Sequence, residues 1–336
     1  MRYFFIAGIF TLLFINLALP ATATIIPSLD LPTLTRESSL IIIGKVIAVR
    51  GGEKVAHLWQ GHSLPARKFI VEVQPSRFHK GADTGNIAKF YFIQPDIFIG
   101  YETVSANQFG MFFLKRDAGN ELTVTNPYHP MVVASPEAAP LSGDALNRVI
   151  SEVIGVLVSS GSSTEDKVKA VAVLDRVRVP SVSDALRQAA DSPEQKLRIA
   201  VVAALLKRND ISRLDTAVKT LTDPPANMDQ HLLATLAVAV EGIRNPQAIP
   251  SLTPLLNSKF PRVRQSAACA LRNTGDPAAI APLIKALYDD ERRVRYQAVM
   301  GLAEITEQYS WGAAVDLYND NEEHYLTYWR SWAKQR

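Results

Sequence analysis

From about Leu40 to Val133 the apolar positions come in short runs or alternate with polar ones: SLIIIGKVIAV, KFIVEVQPSRF, IAKFYFI, FGMFFLKR and ELTVT. Val, Ile, Phe and Thr dominate these runs. Lys68-Phe69-Ile70-Val71-Glu72-Val73 has the two-residue period of a half-buried strand. Turn residues separate the runs at Gly51-Gly52, Gly81-Ala82-Asp83, Gly85-Asn86 and Asp117-Ala118-Gly119-Asn120. The last of these predicts a hairpin between FFLKR and ELTVT, with Gly119 able to take a positive φ. Five or six strands in this stretch predict a small antiparallel barrel or sandwich. An oligonucleotide/oligosaccharide-type (OB-like) barrel is the preferred form, because closure removes exposed strand edges.

Asn126 to Asp144 carries four prolines and many small residues, so it reads as an extended linker or an edge-hugging segment, with the domain boundary inside it. From Ala145 the period becomes helical, as in Ala267, Ala270 and Leu271. Breaks fall at Val179-Pro180, Ser192-Pro193, Asp223-Pro224-Pro225, Asn245-Pro246 and Asp276-Pro277. Asp276 would cap a helix whose first position, Pro277, has no donor to lose. The pattern also repeats. Val263, Arg264, Ala267 and Leu271 return 31 residues later as Val294, Arg295, Ala298 and Leu302. Ile280, Leu283 and Leu287 answer to Ile249, Leu252 and Leu256. Such a unit cannot bury its own apolar face, so neighbouring units must stack.

These residues, with Gly275-Asp276-Pro277, Ala279 and Pro282 and an earlier unit at Leu197-Arg198, Val201 and Ala204-Leu205, resemble HEAT repeats of the short, alanine-rich phycobilisome-lyase type. The resemblance covers about residues 160 to 308, and the loop at 222–230 makes the stack irregular. It implies an α-solenoid of about four to five helix pairs behind the β-domain, a multi-domain β plus all-α chain. The expected division is 1–23 signal peptide, 24–134 β-domain, 135–160 linker and first helix, 161–310 solenoid, and 311–336 an aromatic C-terminal capping helix. The resemblance also implies that the second helix of each pair lines a concave binding side. Those helices are expected at about Ile211–Leu221, Ala248–Asn257 and Ala278–Tyr288, presenting Arg213, Lys219, Ser251, Thr253 and Lys285 to a protein or peptide segment.

Arg264 and Arg295 stand one repeat apart, with Arg198 in the equivalent place further back. They form either a basic ridge for an anionic partner or bonds to acids of the adjoining repeat, such as Asp289, Asp290 or Glu291. The resemblance implies the second, making Arg198, Arg264, Arg295 and Asp276 inter-repeat structural residues. Arg262, Arg292 and Arg293 beside them are expected to be solvated. Tyr325, Tyr328, Trp329 and Trp332 recur at helical spacing, and with Trp311 they are expected to seal the last repeat.

Composition adds an address and several exclusions. Arg2, an apolar run from Tyr3 to Leu19 and Ala21-Thr22-Ala23 have the three parts of a secretory signal, with cleavage expected after Ala23. The mature chain is then expected to be secreted or periplasmic, without stable membrane insertion. With 36 basic and 33 acidic residues there is no nucleic-acid footprint. The single cysteine, Cys269, allows no internal disulfide and reads as a small buried filler. His57 and His62, five residues apart in an expected loop, match no zinc spacing, and no catalytic motif or cofactor fingerprint occurs. No metal, cofactor or catalytic residue is therefore expected. The reading is an exported, non-enzymatic binding scaffold. A chromophore lyase or isomerase is the first alternative, though the export signal opposes it. A protease inhibitor acting through a netrin-like β-domain is the second, but the mature end lacks the cysteine that mechanism needs.

Overall fold

The structure is a computed structural model that describes residues 29–59, 62–82, 85–96, 102–137 and 142–335. The expected signal peptide, with its cleavage after Ala23, lies outside the described residues.

The apolar runs become five strands. β1 (Leu40–Trp59) and β2 (His62–Lys80) form a long antiparallel hairpin, and β3 (Ala88–Pro95) continues it beside β2. β4 (Phe109–Arg116) lies against the start of β1, and β5 (Leu122–Val124) pairs with β4. The order of pairing is β1-β2-β3-β5-β4, returning to β1. One parallel pair, Tyr91 with Thr123, makes the β3–β5 seam, and Thr123 Oγ1 donates to Tyr91 O there at 3.0 Å. The N-terminal unit is thus a five-stranded sheet curled on itself with one thin join. His57 and His62 lie on the paired strands β1 and β2, not in a loop.

Ile42, Val73, Phe90, Phe92, Phe112 and Leu114 fill the interior of the curl. Ile41, Ile43, Met111 and Phe113 point the other way and are buried too, because helices cover that side. Burial on both faces explains why β1 opens as an unbroken apolar run. Gly44 sits where β1 crosses β2 most closely: a Cβ there would lie 2.2 Å from Gln74 O. In the turn before β5 the left-handed residue is Asn120 (φ 65°), not Gly119. Asp117 Oδ1 accepts from Gly119 N and Glu121 N at 2.9 Å, an Asx turn that shifts the bend one residue onward.

The proline-rich segment runs along the edge of the sheet. Val132 and Met111 exchange main-chain hydrogen bonds at 2.8 Å in both directions. A short helix without a sequence signal, α1 (Leu31–Glu37), packs Leu31 and Leu34 into the layer between the sheet and the first long helix. That helix is α2 (Ala145–Val158), capped by Asp144, whose Oδ1 accepts from Asn147 N at 2.8 Å. Val149, Val153 and Val156 of α2 share one core with Ile41, Ile43 and Met111. Inside this seam, Glu152 is fully buried and receives Arg77 Nε and Nη2 of β2, each at 2.6 Å. Arg77 Nη2 also donates to Ser135 O at 2.6 Å, which ties the edge segment to the same knot. Buried His79 places Nε2 3.3 Å from Glu152 Oε1.

Beyond the seam the helices pack in two layers. α3 (Thr164–Leu174), α5 (Gln195–Lys207), α7 (Gln230–Val240), α9 (Pro261–Thr274) and α11 (Arg292–Ile305) touch in succession as the first helices. Between them come α4 (Pro180–Ala189), α6 (Leu214–Thr222), α8 (Ile249–Leu252) and α10 (Ile280–Ala286). α5 is buried on opposite sides: Val201 and Leu205 face the seam core, while Val202 and Leu206 face the core that continues to Trp329. The helix expected over Ala248–Asn257 is shorter than foreseen. Four residues are α-helical, flanked by 3₁₀ turns at Pro246–Ala248 and Thr253–Asn257. Pro250 and Pro254 supply no N–H, so consecutive i to i−4 bonds cannot form there.

Candidate binding face of the helical stack

Three of the first helices, α5, α9 and α11, carry an arginine near their start, held by the turn that precedes it. Arg198 Nη1 donates to Ser192 O at 2.6 Å, Arg264 Nη1 to Ser258 O at 3.0 Å and Arg295 Nη1 to Asp289 O at 2.9 Å. In every case the acceptor lies six residues upstream. These guanidiniums cap carbonyls left open at a helix end. Two of them also reach forward to the next unit. Arg264 grips both oxygens of Asp289 at 2.8 and 2.9 Å and also contacts Asp290. Arg295 meets Glu322 Oε1 at 2.7 Å. Burial alone would raise the Asp289 carboxyl, but the fork from Arg264 outweighs it and holds the group below the ordinary carboxylate range. Arg198 forms no ion pair with a described residue. Asp276 acts locally: its Oδ1 accepts from Ala278 N at 2.8 Å and caps the 3₁₀ turn Pro277–Ala279.

The flanking arginines, expected to be solvated, are half-engaged. Arg262 pairs with Glu241 and Arg292 with Glu322, both at 3.0 Å, while Arg293 stays exposed. Arg264→Lys keeps the charge but cannot span both Asp289 oxygens. It is expected to cost about 2 kcal/mol by urea denaturation, nearly as much as Arg264→Ala.

The expected binding residues are placed differently from one another. Lys219 on α6 and Lys285 on α10 are exposed, and neither forms an ion pair with a described residue. Arg213 precedes α6 and its Nη2 is held by Asp191 at 2.7 Å. Thr253 turns its hydroxyl back to Ile249 O at 2.8 Å, and Ser251 is half-buried on α8. α6 packs beside α8, and α10 beside the turn after α8. The second helices are therefore contiguous, and their two exposed lysines stand on flanking members.

The C-terminal end closes the stack. The segment expected as one capping helix is two, α12 (Val315–Asp320) and α13 (Glu322–Ala333), parted at Asn321 (φ −134°). Trp329 is fully buried and its Nε1 donates to Trp311 O at 3.0 Å. Trp311 stacks on Tyr328 with ring centroids 3.6 Å apart, and Trp332 meets Trp329 edge-on at 5.2 Å. Tyr325 packs against the same core beside Tyr318.

Several structural residues escaped the sequence patterns. Arg208 reaches back to Leu174 O and, at 3.0 Å, to Val177 O; burial drives its guanidinium down to about 10. Asn209 (φ 60°) accepts from Arg244 N and Asn245 N at 2.7 and 3.0 Å, joining one unit's turn to the next. Arg272 forks onto Glu304 of α11. Glu152 carried a usable signal: a carboxylate beside Val149, Val153 and Val156 on one apolar stripe needs a buried partner. Among the described residues, no group of three or more His, Cys, Asp or Glu is placed to hold a metal ion.

Residues 214–303 match the family model of HEAT repeats. No curated protein matches the sequence. The solved structures it is similar to include the complex of CpcE and CpcF of phycocyanin lyase from Nostoc sp. PCC7120. That match has 20% identity, covers 52% of this chain and 70% of that one, and has a TM-score of 0.39. An engineered protein is similar at 19% identity over 48% of this chain and 81% of its own, TM-score 0.35. A designed armadillo repeat protein in complex with the peptide (KR)4 is similar at 17% identity, with 53% and 88% covered and a TM-score of 0.34. The helices themselves stack in a repeat-like solenoid arrangement behind the N-terminal β-sheet unit, with the HEAT-repeat match confined to residues 214–303.

Proposed function

We propose that this chain is an exported, non-enzymatic scaffold that docks a protein partner on the face of its second helices. In this reading the N-terminal unit is an OB-like barrel, a partly open five-stranded form, followed by four to five HEAT-like helix pairs. The mature chain is secreted or periplasmic. One contrast carries the proposal. The arginines of the first helices are engaged with turns and acids of the stack, whereas Lys219 and Lys285 on the second helices are left exposed. A solenoid presents such a continuous face as an extended binding surface. Its two lysines favour a partner with acidic groups at matching positions.

Amine-reactive crosslinking of the full chain in its native host tests this directly. Crosslinks from Lys219 and Lys285 to one partner are expected, with capture of that partner lost in the Lys219→Glu, Lys285→Glu double variant. Capture unchanged by the double substitution would overturn the reading.

A further inference from the structure

Where the curled sheet meets the helices there is a cleft of about 800 Å³, within the size range of built ligand sites. It lies between the start of β4, the edge segment 131–137, the end of α2 and the start of α3. Phe109, Met131, Val133 and Val156 give it apolar walls. Phe109 is backed by the Arg77 guanidinium, 5.8 Å from the ring centroid, so this wall is anchored to the buried Arg77–Glu152 knot.

Two further features narrow what would fit. The first is a main-chain edge that is unpaired among the described residues. Val132 spends its N–H and C=O on Met111 of β4. In an antiparallel pairing, the main-chain groups of the residues on either side face the opposite way. Met131 and Val133 both line the cleft, and neither makes a main-chain hydrogen bond to a described residue. The second feature is charge. Glu102, Glu137 and Asp166 line the cleft, and its one lysine, Lys169, is already answered by Glu165 at 3.0 Å. Glu102 also meets His129 Nδ1 at 3.3 Å.

From these observations we infer that the cleft binds an extended partner segment, laid as an added strand along residues 131–133. Its alternate side chains would be apolar, against Phe109 and Val156, and basic, toward Glu102, Glu137 and Asp166. Strand addition of this kind draws affinity from main-chain bonds and selectivity from the pockets that receive alternate side chains. The site is separate from the second-helix face, so either can fail without the other.

Fluorescence anisotropy on the full chain, with labelled peptides alternating valine with lysine or valine with glutamate, provides the test. The lysine peptide is expected to bind roughly tenfold tighter than the glutamate peptide. Glu102→Lys with Glu137→Lys should reverse that order, and Glu102→Gln with Glu137→Gln should abolish it. Lys219→Glu with Lys285→Glu should leave it unchanged. The inference is overturned if neither peptide binds, if both bind equally, or if the order survives the two acidic-site variants.

Discussion

Glu152→Gln is expected to destabilise the whole chain by about 3–5 kcal/mol, read as a lowered midpoint of a urea transition. The substitution leaves the Arg77 guanidinium charged, almost wholly buried and facing a neutral amide in place of the carboxylate. His79 Nε2 loses the carboxylate oxygen that lies 3.3 Å from it. The loss should be visible in both parts of the molecule, since Arg77 belongs to β2 and Glu152 to α2. Arg77→Met with Glu152→Leu should recover part of it, because an apolar pair needs no desolvated charge. Recovery stays incomplete, since the Arg77→Met substitution takes away the donor to Ser135 O. A Glu152→Gln chain as stable as the parent would mean that the ion pair does not hold the seam.

The same carboxyl sets a pH dependence. Burial pushes Glu152 upward, but Arg77 and then His79 outweigh it and hold the group below its ordinary 4.5. A carboxyl depressed in the folded state adds stability that is complete above about 4.5 and disappears as pH falls through the folded value. Asp289 and Glu322 are depressed in the same direction, each against the pull of its own burial, by Arg264 and Arg295. Acid titration followed by circular dichroism should show stability falling below that range, with the Glu152→Gln chain falling less steeply.

Trp329→Ala is the second large effect, at about 3–5 kcal/mol. The indole is fully buried between the last first helix and the end of the chain, and α13 touches both α10 and α11. Removing it leaves a cavity under α13 and frees Trp311 O. Trp329→Phe should retain most of the packing and lose about 1 kcal/mol for the Nε1 bond. Hydrogen exchange should speed up first in α11 and α13, while β1 to β4 keep their protection. Uniform exchange across the chain would contradict a local seal.

The repeat was the most legible part of the chain, because its signal is periodic. Val263, Ala267 and Leu271 return at a fixed offset, and only stacking can bury such a face. The strands were visible too, since the β2 run alternates and turn residues bracket it. The order in which the strands pair was beyond local patterns, for it depends on contacts such as Tyr91 with Thr123. The Arg77–Glu152 pair lies 75 positions apart in sequence, and nothing local links its members. The proline-rich segment 126–144 reads by composition as a spacer; its Val132–Met111 bridge and the Ser135 carbonyl held by Arg77 arise only once β4 exists. The exposed lysines of the second helices were legible as residues, while the absence of ion pairs to other described residues is visible only in three dimensions.

The first helix of the stack shares its core with the sheet, and the last is covered by the tryptophan-bearing tail. A column with a lid at top and bottom can be lengthened or shortened only from within. Relatives that carry more or fewer units would therefore have to gain or lose them in the middle. The natural place is around the turn from Asp223 to Asp229, where the period already slips and an extra storey would disturb neither lid.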